Sequence, residues 1–179
     1  MGHALLSGLR AGISAGRSAS EVTQGNIDAG EVQQLKENLF APLKRDKGVP
    51  PEAVFGGIVG IILPIDQMVR RHKDRMEKAL ETVAELQAML PALTAKDGHG
   101  LSKCIEAQGM VLNAELMHRA ALMRTESRGS FYREDYPKRD DKNWLKWIIV
   151  KNVNGKMTLS TEPVPIEKYK YKPEGMDTK

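Results

Sequence analysis

The stretch IDQMVRRHKDRMEKALETVAELQAML, residues 65–90, carries the strongest periodic pattern in the chain. Its apolar residues and one histidine recur every three or four positions, at Ile65, Met68, His72, Met76, Ala79, Val83, Leu86 and Leu90. This spacing lines one side of a helix, so it predicts a single long amphipathic helix that Pro91 ends. The fold is therefore expected to be built mainly from packed helices.

A second long helix is predicted after a turn at residues 94–100, which contains an Asp and two Gly residues. We expect its apolar stripe to consist of Ile105, Leu112, Leu116, Ala120 and Met123. Two long helices joined by a short turn form an antiparallel hairpin. A helix near residues 29–43 begins at a capping box, Asp28 followed by Glu31, and can complete a three-helix bundle.

The segments before the hairpin predict two further helices of different character. Residues 51–62 are nearly all apolar, which predicts a short buried helix that begins at Pro50–Pro51. Residues 2–20 predict a helix in which Gly8, Gly12 and Gly16 line one face, which indicates that another backbone approaches closely there. Because this helix has little large apolar surface of its own, we expect it to need a partner.

The chain changes character after Arg124. Residues 125–143 are polar and rich in turn residues, and residues 144–161 predict a β-hairpin with its turn at Asn154–Gly155. The last residues contain Pro163, Pro165 and Pro173, which favour an extended tail. The predicted fold class is mainly α: a three-helix bundle, an irregular Arg-rich loop, a small β-hairpin and an extended tail.

Composition limits the function classes. The chain has 179 residues, of which 41% are hydrophobic, enough for one ordinary domain with a core. The net charge of +4 comes from residues 138–179, which hold ten Lys/Arg and six Asp/Glu without a run of five basic residues. This sparse distribution argues against a nucleic-acid-binding patch.

The same composition bears on the compartment. The longest apolar run, residues 53–65, is too short to span a bilayer and is interrupted by Gly and Pro. Cys104 is the single cysteine, so no intrachain disulfide forms and a reducing compartment is expected. The four histidines lack metal-ligand spacing, so no metal site is predicted.

The stretch RTESRGSFYREDYPKRDDKNW, residues 124–144, resembles the C-terminal signature of the fumarate reductase/succinate dehydrogenase flavoprotein family, R-x-E-S-R-G-x-H-x-R-x-D-x-P followed by D-D-x-x-W. L-aspartate oxidase and the adenylylsulfate reductase flavoprotein subunit belong to the same superfamily. The matching residues are Arg124, Glu126, Ser127, Arg128, Gly129, Arg133, Asp135, Pro137, Asp140, Asp141 and Trp144. Two positions depart from it: Phe131 replaces the usual His, and Trp147-Ile148 replaces the His-Thr pair of many succinate dehydrogenases.

The N-terminal stretch is similar to the family's last FAD-binding segment, an Asn-Ser-Leu turn followed by a helix with G-x-x-A-G-x-x-A. His3, Ala4 and Leu5 stand where Asn, Ser and Leu usually stand, and the residues from Gly12 to Ala19 follow the small-residue pattern. The resemblance implies that backbone N–H groups at these three positions bond the pyrimidine edge of the flavin. A helix N-terminus is suited to this because it carries free N–H groups and partial positive charge.

The resemblance implies a division of the chain into the end of an FAD-binding domain (1–27), a helical bundle (28–125), and the loop, hairpin and tail (126–179). FAD would be shared with an FAD-binding portion that this chain lacks, and the chain alone would not hold it tightly. The resemblance implies that the catalytic arginine and its partner histidines lie outside this chain. The chain also contains no G-x-G-x-x-G unit for dinucleotide binding.

The resemblance also implies partner contacts and a location. Contacts with the FAD-binding portion, or with an iron–sulfur protein subunit, involve Arg124, Glu126, Arg128, Arg133 and Asp135. The expected location is the cytoplasm, with a partner holding the chain at the inner face of the membrane. The alternatives left open are a helical protein–protein interaction module without a redox role and, third, a nucleic-acid binder acting through the Lys-rich tail.

Overall fold

The computed structural model describes residues 2–23 and 25–171, without the side chain of His3. The helices are α1 Gly2–Glu21, α2 Ala29–Phe40, α3 Pro51–Ile62, α4 Ile65–Met68, α5 Lys73–Met89, α6 Gly98–Met123 and α7 Asp141–Trp144. The strands are β1 Arg70–Arg71, β2 Tyr132–Arg133, β3 Lys146–Val153 and β4 Lys156–Pro163. Short 3-10 turns lie at Ala41–Lys44, Leu90–Ala92 and Ile166–Lys168. The mainly α fold class is thereby confirmed.

The chain divides into two compact units, one ending at Leu39 and one beginning at Phe40. In the first unit, a Cβ atom built on Gly8, Gly12 or Gly16 of α1 would meet no heavy atom within 4 Å apart from the neighbouring residues and backbone of its own helix. Helix α2 begins after Asp28, whose Oδ1 accepts the N–H of Gly30 at 2.7 Å, as the capping pattern predicts. The domain boundaries at residues 27/28 and 125/126 stay predictions.

The core of the second unit lies between α3, α5 and α6. Helix α3 contributes Val54, Ile58 and Ile61 to this core. The facing residues of the other two helices are Ala79, Val83, Leu86, Leu101, Cys104, Ala107, Val111 and Ala114. A segment before α3 is tied to the turn after α5, where Val49 N–H donates to Ala92 O at 2.8 Å and Thr94 N–H donates to Val49 O at 3.0 Å.

The third helix of the bundle differs from the expected one. The sequence pattern indicates that the helix near residues 29–43 can complete the bundle, but the helix that packs with α5 and α6 in the core is α3. Helix α3 buries one stripe, formed by Pro51, Val54, Ile58 and Ile61, whereas Val59 on another side is 46% exposed, so the helix is less buried than its nearly continuous apolar sequence predicts. None of the residues of α2, all of which the structure describes, is buried.

The single long helix predicted over residues 65–90 is wrong, because a tertiary contact interrupts it at residues 70–71. Residues 70–71 are extended and form a parallel pair with residues 132–133. His72 then has φ −141° and ψ 147°, and its Nδ1 accepts the N–H of Asp74 at 3.3 Å, so it caps the N-terminus of α5. The predicted stripe is buried from Met76 to Leu86, whereas Ile65 and Met68 are exposed.

The predicted stripe of α6 is also wrong. Ile105 and Leu112 are 46% and 52% exposed, and the buried side is formed by smaller residues, among them Cys104, Ala107 and Ala114. Two apolar stripes are available on this helix. The structure buries the one whose small side chains let the neighbouring helices approach closely.

The hairpin agrees with the sequence prediction. β3 and β4 are antiparallel and pair from Lys146↔Pro163 to Val153↔Lys156. Asn154 and Gly155 both have positive φ, 52° and 79°, as a two-residue turn of this kind requires. The tail continues through the turn at residues 166–168, and the predicted extended conformation beyond residue 171 lies outside the described residues.

Candidate functional site

The segment between α6 and β3, residues 124–145, forms an ordered loop that we call the signature loop. It begins with a tight turn, in which Arg128 N–H donates to Phe131 O at 2.8 Å and Gly129 has φ +56°. Its strand β2 then lies beside β1, and Glu134 N–H donates to Arg71 O at 2.8 Å. This pairing fixes the signature loop against the segment that precedes α5.

Arg133 is the central buried group of the signature loop, with 1% of its surface exposed. Its Nη1 donates to three carbonyl oxygens at the end of α6, those of Ala121 at 2.8 Å, Leu122 at 3.2 Å and Arg124 at 2.9 Å. The last carbonyls of a helix have no partners within the helix, and a cation is favoured near that end. Arg133 therefore bonds two of the last four carbonyls of α6, and that of the residue after the helix, with one side chain.

Asp135 is the carboxylate partner of Arg133. The two form a bidentate pair at 2.7 and 2.6 Å, and Asp135 Oδ2 also accepts the N–H of Lys73 at 3.2 Å. The hydrogen bonds from Arg133 outweigh the opposing effect of burial and lower the pKa of Asp135 from 3.8 to about 2. The carboxylate therefore stays ionised at the first turn of α5.

Glu126 forms a second buried centre and is fully inaccessible to solvent. Its Oε1 accepts from Arg124 at 2.6 Å and from Arg128 at 2.8 Å. Its Oε2 accepts from Arg128 at 3.0 Å and from the N–H of Asp140 at 2.8 Å. Burial by itself would raise the pKa of Glu126, but these four bonds prevail and lower it.

The arginines around Glu126 connect it to the hairpin and to α7. Arg124 donates to Lys146 O at 2.8 Å and lies 5.0 Å from the ring centroid of Trp144. Arg128 donates to Asp141 at 2.7 Å, and Asp140 caps α7 by accepting the N–H of Asn143 at 3.0 Å. Because Arg133 also donates to the backbone carbonyl of Arg124, the charged residues of the family pattern form one connected network.

The structure adds three residues that the sequence analysis missed. Glu134 accepts hydrogen bonds from Arg70 and Arg75, which lie 64 and 59 positions earlier in the chain. These bonds lower the pKa of Glu134, the bond from Arg75 most strongly. Pairs this far apart leave no local pattern in the sequence, although Glu134 lies inside the quoted signature.

The predicted contact residues Arg124, Glu126, Arg128, Arg133 and Asp135 all lie in this network. Their polar groups are bonded within the second unit, and a direct contact with another domain stays a prediction. His3, Ala4 and Leu5 lie in the first turn of α1, in the other unit, and their contact with flavin also stays a prediction.

Two further observations concern the described residues alone. Within residues 2–23 and 25–171, no three His, Cys, Asp or Glu side chains converge where a metal ion could be held. None of the helices in this same part of the chain is both long and apolar enough to cross a membrane.

The signature loop and bundle define the C-terminal helical domain of a flavoprotein. A family model described as the fumarate reductase flavoprotein C-terminus matches residues 62–177, more than half of the chain. The chain therefore belongs to the fumarate reductase/succinate dehydrogenase flavoprotein family, as its C-terminal region. The resemblance drawn from the signature loop is confirmed.

Curated relatives support the same family. The chain is 33% identical over 160 residues to an uncharacterized FAD-dependent oxidoreductase of Methanocaldococcus jannaschii, covering 84% of this chain and 28% of the relative. It is 30% identical over 147 residues to one of the subunits of the CoM/CoB fumarate reductase of Methanothermobacter marburgensis, covering 80% and 26%. The chain thus spans about a quarter of the length of these relatives.

Solved structures share the fold. A quinol–fumarate reductase with menaquinol molecules has a TM-score of 0.75 at 27% identity, over 89% of this chain and 29% of that one. Adenylylsulfate reductase from Archaeoglobus fulgidus has a TM-score of 0.71 at 24% identity, over 83% and 27%. The latter likeness is one of fold alone.

Proposed function

We propose that this chain works as the C-terminal part of an FAD-dependent oxidoreductase of the fumarate reductase/succinate dehydrogenase type. The observation that carries the proposal is the family match over residues 62–177, which contains the complete signature loop. In this role the chain packs on an FAD-binding portion and is not catalytic alone. It would work in the cytoplasm, at the inner face of the membrane through a partner.

The bound FAD would supply the redox chemistry, and this chain would supply part of its environment. Helix α1 begins at Gly2, so the N–H groups of His3, Ala4 and Leu5 lie in or next to its first turn. The first four N–H groups of a helix have no partner within the helix and attract negative charge. This donor set fits the pyrimidine edge of a flavin, which becomes more negative on reduction.

The glycine face of α1 supports the same arrangement. The positions of Gly8, Gly12 and Gly16 leave space where side chains would stand, and no other residue of the first unit fills it. Small residues on one face allow another backbone to approach closely. We infer that the FAD-binding portion supplies that backbone.

The signature loop has a separate role in the proposal. Glu126 and Arg133 set its shape from the interior, whereas the side chains of Arg124 and Arg128 keep 17% and 29% of their surface exposed. We propose that these exposed edges contact the FAD-binding portion, and that the second partner is an iron–sulfur subunit. Such a contact would depend on the loop conformation that the buried ion pairs maintain.

The decisive test combines the 179-residue chain with a separately produced FAD-binding portion of a relative that lacks this region. We expect FAD to be retained through gel filtration by the mixture, and weakly or not at all by the chain alone. Tight FAD binding by the isolated chain would contradict the proposal. Failure of the two polypeptides to associate would favour the alternative, a helical interaction module without a redox role.

A matched pair of variants tests the contact at the start of α1. Ala4→Pro removes one backbone N–H at a position where proline is tolerated in a helix, and Ala4→Ser retains that N–H. We expect the flavin reduction potential in the reconstituted mixture to become more negative in the proline variant alone. Equal flavin reduction potentials in the two variants would show that the N–H group of Ala4 does not contact the flavin.

A further inference from the structure

A cavity of about 460 Å³ lies between α6, the signature loop and β3. Arg71, Arg124 and Arg128 line it, together with Phe131 and Ile148 and the C-terminal residues of α6. This volume is within the range of cavities that hold small organic ligands, roughly 300–1,000 Å³. Every lining residue belongs to the second unit of the chain.

The three guanidinium groups differ in how their charges are balanced. Arg124 and Arg128 share the buried carboxylate of Glu126, and Arg128 also bonds Asp141. The side chain of Arg71 has no hydrogen bond or ion pair with any residue that the structure describes, and burial lowers its pKa. Arg71 is therefore the one lining cation whose charge lacks a neighbouring anion among the described residues.

The aromatic ring beside Arg71 orders this cation. The guanidinium carbon lies 5.1 Å from the ring centroid of Phe131, close enough for a cation–π interaction. A guanidinium on an aromatic face keeps its edge available for a planar, two-point contact. Phe131 is also the position at which this chain departs from the histidine of the family pattern.

We propose that this cavity binds a small organic monocarboxylate with an apolar body. The carboxylate would meet Arg71 in a bidentate contact, and the apolar body would lie against Phe131, Ile148 and Met117. A carboxylate is favoured over phosphate because a single uncompensated charge lines the site and most other lining groups are apolar. The proposal does not depend on the proposed function, because this chain alone supplies the site.

The test is calorimetric titration of the 179-residue chain with benzoate, benzamide, acetate and inorganic phosphate. Benzoate is expected to bind saturably, and benzamide, acetate and phosphate about tenfold more weakly or worse. If acetate bound as tightly as benzoate, the site would recognise the carboxylate group alone, such as that of an acidic side chain of another polypeptide. That result would overturn the proposal. Tighter binding of phosphate, or no saturable binding of benzoate, would overturn it too.

Variants assign the binding to the cavity. Arg71→Gln should weaken benzoate binding about tenfold or more. Arg71→Lys should weaken it by less, because lysine keeps the positive charge although it cannot make the two-point contact. Arg17→Gln makes the same charge change on α1 and should bind benzoate like the parent chain. Unfolding midpoints of all three variants verify that they are folded. Unchanged affinity in folded Arg71→Gln would refute the site, and Arg71→Lys serves in its place if the glutamine variant does not fold.

Discussion

Arg133 and Asp135 join the ends of two helices of the bundle through one bidentate ion pair, at 2.7 and 2.6 Å. On its other side Arg133 caps the C-terminus of α6, and Asp135 accepts the N–H of Lys73 at the start of α5. Each charge has the sign that its helix end favours. The pair therefore stabilises two helix termini that lie far apart in the sequence.

Replacing Arg133 should be strongly destabilising. Arg133→Ala leaves the carboxylate of Asp135 without its main partner and exposes three carbonyls to an unfilled space. We expect the free energy of unfolding in urea to fall by about 3–5 kcal/mol. The control is Arg139→Ala, which breaks an exposed pair with Asp141 and should cost less than about 1 kcal/mol. Similar losses in both variants would contradict this account.

Asp135 should make stability depend on acid pH. Its pKa in the folded chain is about 2, below the ordinary 3.8, so its contribution is complete above 3.8 and is lost as the pH falls toward 2. The difference corresponds to about 2 kcal/mol. Stability curves of Asp135→Asn should therefore decline less steeply in this window than those of the parent chain.

The comparison for that experiment is Asp46→Asn, since Asp46 is exposed and makes no ion pair within the described residues. The free energy of unfolding of Asp46→Asn should fall with decreasing pH as steeply as that of the parent chain. An unchanged decline in Asp135→Asn would show that another carboxylate dominates.

The small-residue face of α6 should not tolerate enlargement. Ala107 is fully buried in the bundle core, so Ala107→Leu must displace neighbouring helices. We expect a loss of about 1–3 kcal/mol in the free energy of unfolding. Leu112→Ala, at a position that is 52% exposed, should change stability by no more than about 0.5 kcal/mol. A larger loss of stability in Leu112→Ala than in Ala107→Leu would show that the stripe predicted from the sequence is the buried one.

Cys104 should be chemically protected. It is fully buried and its Sγ lies 3.4 Å from Thr94 O, and burial raises the pKa of the thiol. An aromatic disulfide reagent should therefore label it slowly in native buffer and rapidly in urea. A single cysteine moved to the exposed position 102, in the double variant S102C/C104A, should react quickly in both conditions. Fast native labelling of Cys104 would show that the bundle opens readily.

Local sequence signals predicted much of the fold. The helix at residues 51–62, the cap at Asp28 and the Asn154–Gly155 turn all depend on neighbouring residues and were correct. The long helix over residues 65–90 failed because pairing with residues 132–133 holds residues 70–71 extended. The stripe on α6 failed because periodicity cannot choose between two apolar faces, and close packing of whole helices makes that choice.

The candidate site was predicted as a motif, but the individual bonding partners of its charged residues were not predicted. The family pattern located Arg124, Glu126, Arg128, Arg133 and Asp135 correctly in one loop. It could not indicate that Arg133 bonds backbone carbonyls, because any residue provides a carbonyl. The contact of Arg71 could not be predicted either, because its partner is the aromatic face of Phe131, 60 positions later in the chain.

The signature loop has little regular secondary structure, yet its charged groups bond to α5, to α6 and to the hairpin. Opening it requires releasing Arg133 from α6 and Asp135 from α5 in the same event. Amide protons such as that of Arg133, which is donated to Ser127 Oγ at 2.9 Å, should therefore exchange with deuterated solvent about as slowly as those of the helices. An irregular segment would then share the cooperativity of the core beside it.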